Sequence, residues 1–201
     1  GLIAGTWSIR LAAYLFVDRI LHADHEDGRY LMLREKWGSK AQKWFFVFFQ
    51  VQAFFVVAFA TPFFVVAHNH KPLGVLDAAG VAVWAIALIG ETVADLQLAK
   101  HRADPSNRGL TCRQGLWAYS RHPNYFFEWV HWWSYVLLGF GSAWWWLSPA
   151  AAIFMLFLLF CVTGIPYTEE RAIASRGDDY RHYQHTTSVF VPRFPKKETT
   201  S

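Results

Sequence analysis

Long stretches without charge alternate along the chain with shorter polar, basic ones. Trp44–Ala67 is a run of 24 residues with no charged side chain. As a helix it would rise roughly 36 Å at about 1.5 Å per residue, enough to cross a hydrocarbon core of about 30 Å with some tilt. Trp144–Pro166 is a second uncharged run. The pattern predicts five hydrophobic segments: Leu2–Val17, Trp44–Ala67, Leu73–Leu98, Tyr125–Phe140 and Trp144–Pro166, followed by a polar tail over 167–201. The first and fourth lie near the shortest length that spans a bilayer. The first also carries Arg10, and the third turns polar toward Glu91 and Asp95. The expected fold class is therefore all-α and integral to a membrane. It is a single domain over 1–201, a bundle of about five transmembrane helices with its polar pocket on the cytoplasmic side. The chain starts without Met inside an apolar segment, as a piece of a longer chain with helices upstream would.

Charge fixes the orientation of this layout. Linker 18–43 holds six Lys and Arg, 99–124 holds five and the tail after Pro166 holds six, whereas 68–72 holds only Lys71 and 141–143 none. With five crossings, the three basic regions share one face. The excess of Lys and Arg on cytoplasmic loops makes that face cytoplasmic, with the N-terminus outside and a multi-pass chain in a membrane, expected to be a bacterial inner membrane. Clustered Trp132, Trp133 and Trp144 to Trp146 fit an interfacial aromatic belt. The net charge of +4 calls for no nucleic acid, because anionic headgroups along the cytoplasmic face account for it. Cys112 in a polar loop and Cys161 in an apolar segment do not suggest a bridge.

Candidate chemistry gathers at the basic end. Glu91, Asp95 and Arg102 fall within about 40° of one another on a helix, provided that it continues past Leu98. Intramembrane acids are costly and face an interior or a wet cavity, although an interfacial ion-pair ladder reads the same way. Pro123 fits the first turn of the fourth helix and keeps His122 out of it. Asn124 and Glu128 are then one turn apart on one face. Arg121 and His122 precede a helix N-terminus that favours anions, so phosphate binding and a basic interfacial anchor are both open. In the tail, Tyr180 and Tyr183 could wall a pocket or pack an amphipathic helix on the membrane face. His22, Asp24 and His25 have the look of a metal cluster, but solvated His and acid clusters are common, and no metal is expected.

Ser120, Arg121, His122, Pro123, Asn124, Tyr125 and Glu128, with Gly115, Leu116 and Trp117 ahead of them, resemble the signature of the steroid 5α-reductase family, in particular its bacterial branch. The resemblance extends from the His25–Tyr30 stretch with Trp37, through Phe49–Ala53, Glu91, Asp95 and Gln97, Asp104–Gly109, to the tail from Glu169 to Pro192. It implies a helical membrane enzyme that binds NADPH from the cytoplasmic side. Hydride would pass to a C=C bond conjugated to a carbonyl, in an apolar lipidic or steroid-like substrate of 4-en-3-one type. By the same resemblance Asp95, Arg102, Asn124 and Glu128 contact the cofactor, with Arg29 and Glu169 as further polar contacts. Glu91, Arg121, His122, Tyr180 and Tyr183 complete the expected cofactor set, and Tyr14 and Glu128 are the expected catalytic pair. The branch usually carries Gly where Phe127 stands, so this side chain is expected to narrow the approach to the cofactor. The glutamate with which relatives polarise the substrate carbonyl has no identified counterpart here. Membrane methyltransferases that use S-adenosylmethionine share the Arg-His-Pro-x-Tyr turn, and a lipid- or sterol-binding protein without catalysis is a third reading.

Overall fold

The computed structural model describes residues 1–17, 28–162 and 164–196, without the side chain of Arg29. The His22, Asp24 and His25 cluster lies outside them. All regular structure among the described residues is helical. The helices are α1 (Leu2–Phe16), α2 (Gly28–Trp37), α3 (Ala41–Ala67), α4 (Val75–Ala103), α5 (Pro123–Leu138), α6 (Leu147–Cys161), α7 (Ile165–Arg176) and α8 (Asp178–Thr186). Three helical runs, Tyr30–Ala67, Val75–Ala103 and Leu147–Arg176, are long and apolar enough to cross a membrane. Their outward faces carry Phe and Val, with Phe54 67% and Val56 70% exposed. In water such a surface would be an association hazard; in lipid it is the solvated state.

Two boundaries differ from the sequence pattern. The third segment does not stop at Leu98: α4 runs to Ala103, so Glu91, Asp95 and Arg102 stand on one continuous helix. The last segment is divided between two helices. α6 ends at Cys161, and Pro166 opens α7, in a first turn where its missing N–H costs nothing. Hydropathy cannot register this break, since both sides of it are apolar.

The core of the bundle is α4 against α5. The buried positions of α4 are Gly80, Ala87, Gly90, Glu91, Ala94 and Asp95, a face of small residues interrupted by two acids. Small residues let membrane helices approach closely and gain packing contacts. A Cβ on Gly90 would lie 2.4 Å from the Phe127 ring, and one on Gly80 3.2 Å from the backbone oxygen of Ser134. α3 and α6 flank this pair, with Phe59 and Phe63 of α3 and Met155 of α6 packed on the Trp132, Tyr135, Leu138 and Ala152 cluster.

The loops sort to two ends. At one, Asn69 Nδ2 donates to the Leu138 carbonyl at 2.9 Å, and the Lys71 ammonium stands 5.8 Å over the Phe140 ring. At the other, the 104–122 loop is bound to α4 and to the tail. Trp117 Nε1 donates to the Ala94 carbonyl at 2.9 Å, and the Leu116 N–H to Gln97 Oε1 at 2.9 Å. Ser120 Oγ donates to the Phe190 carbonyl at 2.7 Å, the Arg121 N–H to the Ser188 carbonyl at 2.8 Å, and the Arg193 N–H to the Tyr119 carbonyl at 2.9 Å. The buried Tyr183 hydroxyl donates to the Trp117 and Ser120 carbonyls. Gly177, at φ +54°, makes the turn that folds α8 back from α7; other residues are disfavoured there.

Asp179 fastens α8 to the same loop. Its carboxylate accepts from the Thr111 N–H at 2.7 Å and from Arg113 Nη2 at 2.8 Å. Partial burial alone would raise its pKa, but these hydrogen bonds and the Arg113 charge outweigh it and hold the carboxyl below the ordinary aspartate value. A depressed folded-state pKa stabilises the latch above the unfolded value of about 4 and loses that contribution as pH falls through the folded value. The Thr111 amide is therefore expected to keep its hydrogen-exchange protection down to about pH 4 and lose it below. In Asp179→Asn the protection should already be reduced at neutral pH.

Candidate functional site

α1, α4, α5, α7, α8 and the 111–122 loop line a half-open cavity of about 980 Å³. That is the upper end of the range for small-molecule sites, about 300–1,000 Å³. Tyr14, Glu91, Asp95, Arg102, Arg121, His122, Asn124, Glu128, Tyr180 and Tyr183 all line it. These residues span 170 positions of the chain, and the fold gathers them on one wall system.

The inner end is acidic and tightly paired. Arg10 of α1 reaches across to α4, one guanidinium nitrogen on Glu91 Oε1 and the other on Asp95 Oδ2. Asp95 Oδ1 also accepts from Asn124 Nδ2 at 3.3 Å. Asn124 is placed by the start of α5: Pro123 opens the helix, and Asn124 Oδ1 accepts from the Tyr125 N–H at 3.0 Å. One turn further on, Glu128 faces the cavity with no hydrogen bond to any described residue.

The outer end is cationic. Arg102 in the last turn of α4, Arg121, and Arg171 and Arg176 of α7 line it. Arg121 is anchored, its Nη1 donating to the Gln184 carbonyl at 2.8 Å and its Nε lying 2.8 Å from Glu169 Oε1. Arg102 and Arg176 have no carboxylate within ion-pair distance among the described residues. Arg176 instead lies 5.3 Å over the Tyr180 ring, and Arg171 Nη1 donates to the Tyr167 hydroxyl at 2.9 Å. The His122 ring stacks on Tyr125 at 5.4 Å and meets Glu169 at 3.3 Å through Nε2.

Glu169 itself does not line the cavity. It stands behind the wall and accepts from His122, from Gln184 at 2.9 Å and from the Tyr180 hydroxyl at 3.4 Å. It holds Arg121 and His122, which do line the cavity. The Arg29 side chain is outside the described residues. Phe127 departs from expectation most plainly. It packs over Gly90 and borders an outer apolar groove with Ile86, Ile89 and Val93, so it does not narrow the main cavity. Nor are Glu91, Asp95 and Arg102 a ladder closed on itself, since the two acids are spanned by Arg10. Arg10, Arg171 and Arg176 were absent from the sequence-derived set. Arg10 alone carried a signal, as the one cation inside an apolar segment.

A family model described as "Protein of unknown function (DUF1295)" matches residues 2–187, and the chain belongs to that family. No curated protein and no solved structure matches it.

Proposed function

We propose that the protein is a membrane-embedded reductase that uses NADPH to reduce a C=C bond conjugated to a carbonyl in an apolar, lipidic or steroid-like substrate. One observation carries this reading: a single cavity of dinucleotide size joins an acid–amide end to a cationic end where Arg102 and Arg176 have no carboxylate within ion-pair distance among the described residues. The residues fit the group. Arg102, Arg121, Arg171 and Arg176 would hold phosphates through charge-assisted hydrogen bonds, and Tyr180 and Tyr183 would border the same end of the cofactor. Asn124, fixed by Asp95, and the unbonded Glu128 would meet the carboxamide and ribose of the nicotinamide half. Bound NADPH supplies the hydride. The chain's own residues orient the two reactants and exclude water, and α1, through Tyr14, closes the side of the pocket nearest the lipid.

In the proposed topology α1, α3, α4, α5 and α6 make five crossings, with the N-terminus outside. The basic end, with the cavity mouth and the tail, then faces the cytoplasm of a bacterial inner membrane. The grouping of the 68–74 and 139–146 loops at the opposite end from the 104–122 loop and the tail supports that arrangement.

The purified chain in detergent, titrated separately with NADPH, NADH and S-adenosylmethionine, tests the cofactor class. NADPH is expected to bind, and Asn124→Ala to weaken it roughly tenfold, the ordinary worth of one hydrogen bond. Binding of S-adenosylmethionine with no response to NADPH would overturn the reductase in favour of a methyltransferase.

A further inference from the structure

At 100° per residue, Asn124, Glu128, His131 and Tyr135 fall within about 60° of one another around α5. The first two line the cavity. The second two continue the stripe into the apolar interior, where His131 is 0% and Tyr135 2% exposed. Both ring nitrogens of His131 and the Tyr135 hydroxyl lack a hydrogen-bond partner among the described residues, as do Trp7 Nε1 and Trp132 Nε1 beside them. The rings touch. His131 lies 5.0 Å from Tyr135 and stacks under Trp7 of α1 at 4.9 Å, and Trp132 lies 6.0 Å from both His131 and Tyr135.

Some comparable groups nearby are satisfied, while Trp133 Nε1 and Ser148 Oγ also lack a partner among the described residues. Trp129 Nε1 donates to the Ala152 carbonyl at 3.2 Å, Trp145 Nε1 to the Val136 carbonyl at 2.8 Å, and Ser134 Oγ to the His131 carbonyl at 2.6 Å. Apolar residues of the same size would avoid the desolvation cost of unbonded donors, and in a membrane interior there is no bulk water to bond them. A polar cluster of this kind is explained by a ligand that brings an acceptor.

We propose that His131 and Tyr135 form a hydrogen-bonding site for the carbonyl or hydroxyl oxygen of an apolar, lipid-borne ligand. Tyr135 donates its O–H and His131 a ring N–H to that oxygen, while Trp7, Trp132, Phe59 and Phe63 enclose the apolar body. Trp7 belongs to α1, a helix with no buried residue of its own, so the ligand enters between α1 and α5 from the lipid. The inference rests on the reductase reading for the ligand's role, since the stripe leads from the cofactor end to the substrate oxygen. Recognition of the oxygen stands without it.

The probes are a steroidal 4-en-3-one labelled with ¹³C at the carbonyl and its 3-deoxy hydrocarbon counterpart, bound to the full chain in detergent. The ketone is expected to bind at least about tenfold tighter than the hydrocarbon, the value of one hydrogen bond. Its carbonyl stretch should fall to lower frequency when bound. Tyr135→Phe should reduce both differences, the His131 donor remaining, and leave NADPH binding as in the wild type. His131→Leu, which removes two unbonded polar atoms, is the second variant and should show the same reduction. Equal binding of ketone and hydrocarbon, or an unchanged carbonyl band in both variants, overturns the site. If the ketone behaves as expected and NADPH does not bind, the reductase reading fails and this one stands.

Discussion

Replacing Arg10 with methionine is expected to cost about 3–5 kcal/mol of stability, the usual result of removing one member of a buried ion pair. The size follows from what is left behind. Glu91 and Asp95 stand one turn apart on α4, both buried, and Arg10 spans them from α1. Without the guanidinium, two carboxyl groups share a poorly solvated site, with Glu128 of α5 lining the same cavity. The loss is electrostatic, so it is reversible by chemistry alone. The triple variant Arg10→Met, Glu91→Gln, Asp95→Asn removes the charges together and should recover most of the stability, because a neutral set of similar volume carries no desolvation penalty for ions. Arg10→Lys should fall between, since an ammonium cannot span two carboxylates with a planar fork. Thermal unfolding in detergent checks the series, and about 2–4 °C per kcal/mol is expected for a chain of this length. If the triple variant is no more stable than Arg10→Met, the ion pairs do not hold α1 to α4.

The same pairing marks where the sequence was legible. Acids inside apolar segments are rare enough to demand a partner, and Glu91 and Asp95 were singled out for that reason. The basic residue of the first segment made the same demand. Its solution lies in another helix, and helix periodicity carries no information across helices. Arg102, at the right angle on α4 itself, is the nearer candidate for a partner, and in the structure it makes a direct ion pair with neither acid. The α5 residues were readable because one proline fixed the helix start and so the phase of Asn124 and Glu128. The same phase already turns Phe127 about 100° from Glu128, and it packs on Gly90 outside the cavity.

The tail was the least readable part. Its composition allows an amphipathic helix on the membrane surface as well as a pocket wall. What decides between them is a set of contacts remote in sequence: the Gly177 turn, the Tyr183 hydroxyl on the Trp117 and Ser120 carbonyls, and the Asp179 latch on Thr111. These bring Arg176 to the cavity, although nothing in its local sequence distinguishes it from a solvated surface arginine. Glu169 shows the converse. The resemblance placed it at the cofactor, and its four neighbours, Arg121, His122, Tyr180 and Gln184, place it behind the residues that face the cavity.

Arg102→Ala combined with Arg176→Ala should separate stability from binding more sharply than any other change in the protein. Both guanidinium groups face the cavity with no carboxylate within ion-pair distance among the described residues, and they repel one another. In the ligand-free protein their removal breaks no ion pair among the described residues; it relieves that repulsion and gives up the Arg176 contact with the Tyr180 ring and its attraction to Asp179. These effects oppose one another, so the thermal midpoint should change little. With a phosphate-bearing cofactor the effect is large and of one sign. A hydrogen bond to a charged group is worth about 1.5–3 kcal/mol, so the double variant should lose roughly 3–6 kcal/mol of NADPH binding, about a hundredfold or more. Each single variant should lose part of this, and added salt should weaken the wild type more than the double variant because the screened charges are gone. Isothermal titration with NADPH beside thermal unfolding of the same samples checks both effects. A double variant that is less stable yet binds NADPH as the wild type does would make these arginines structural, and would leave the cationic end of the cavity without a phosphate to hold.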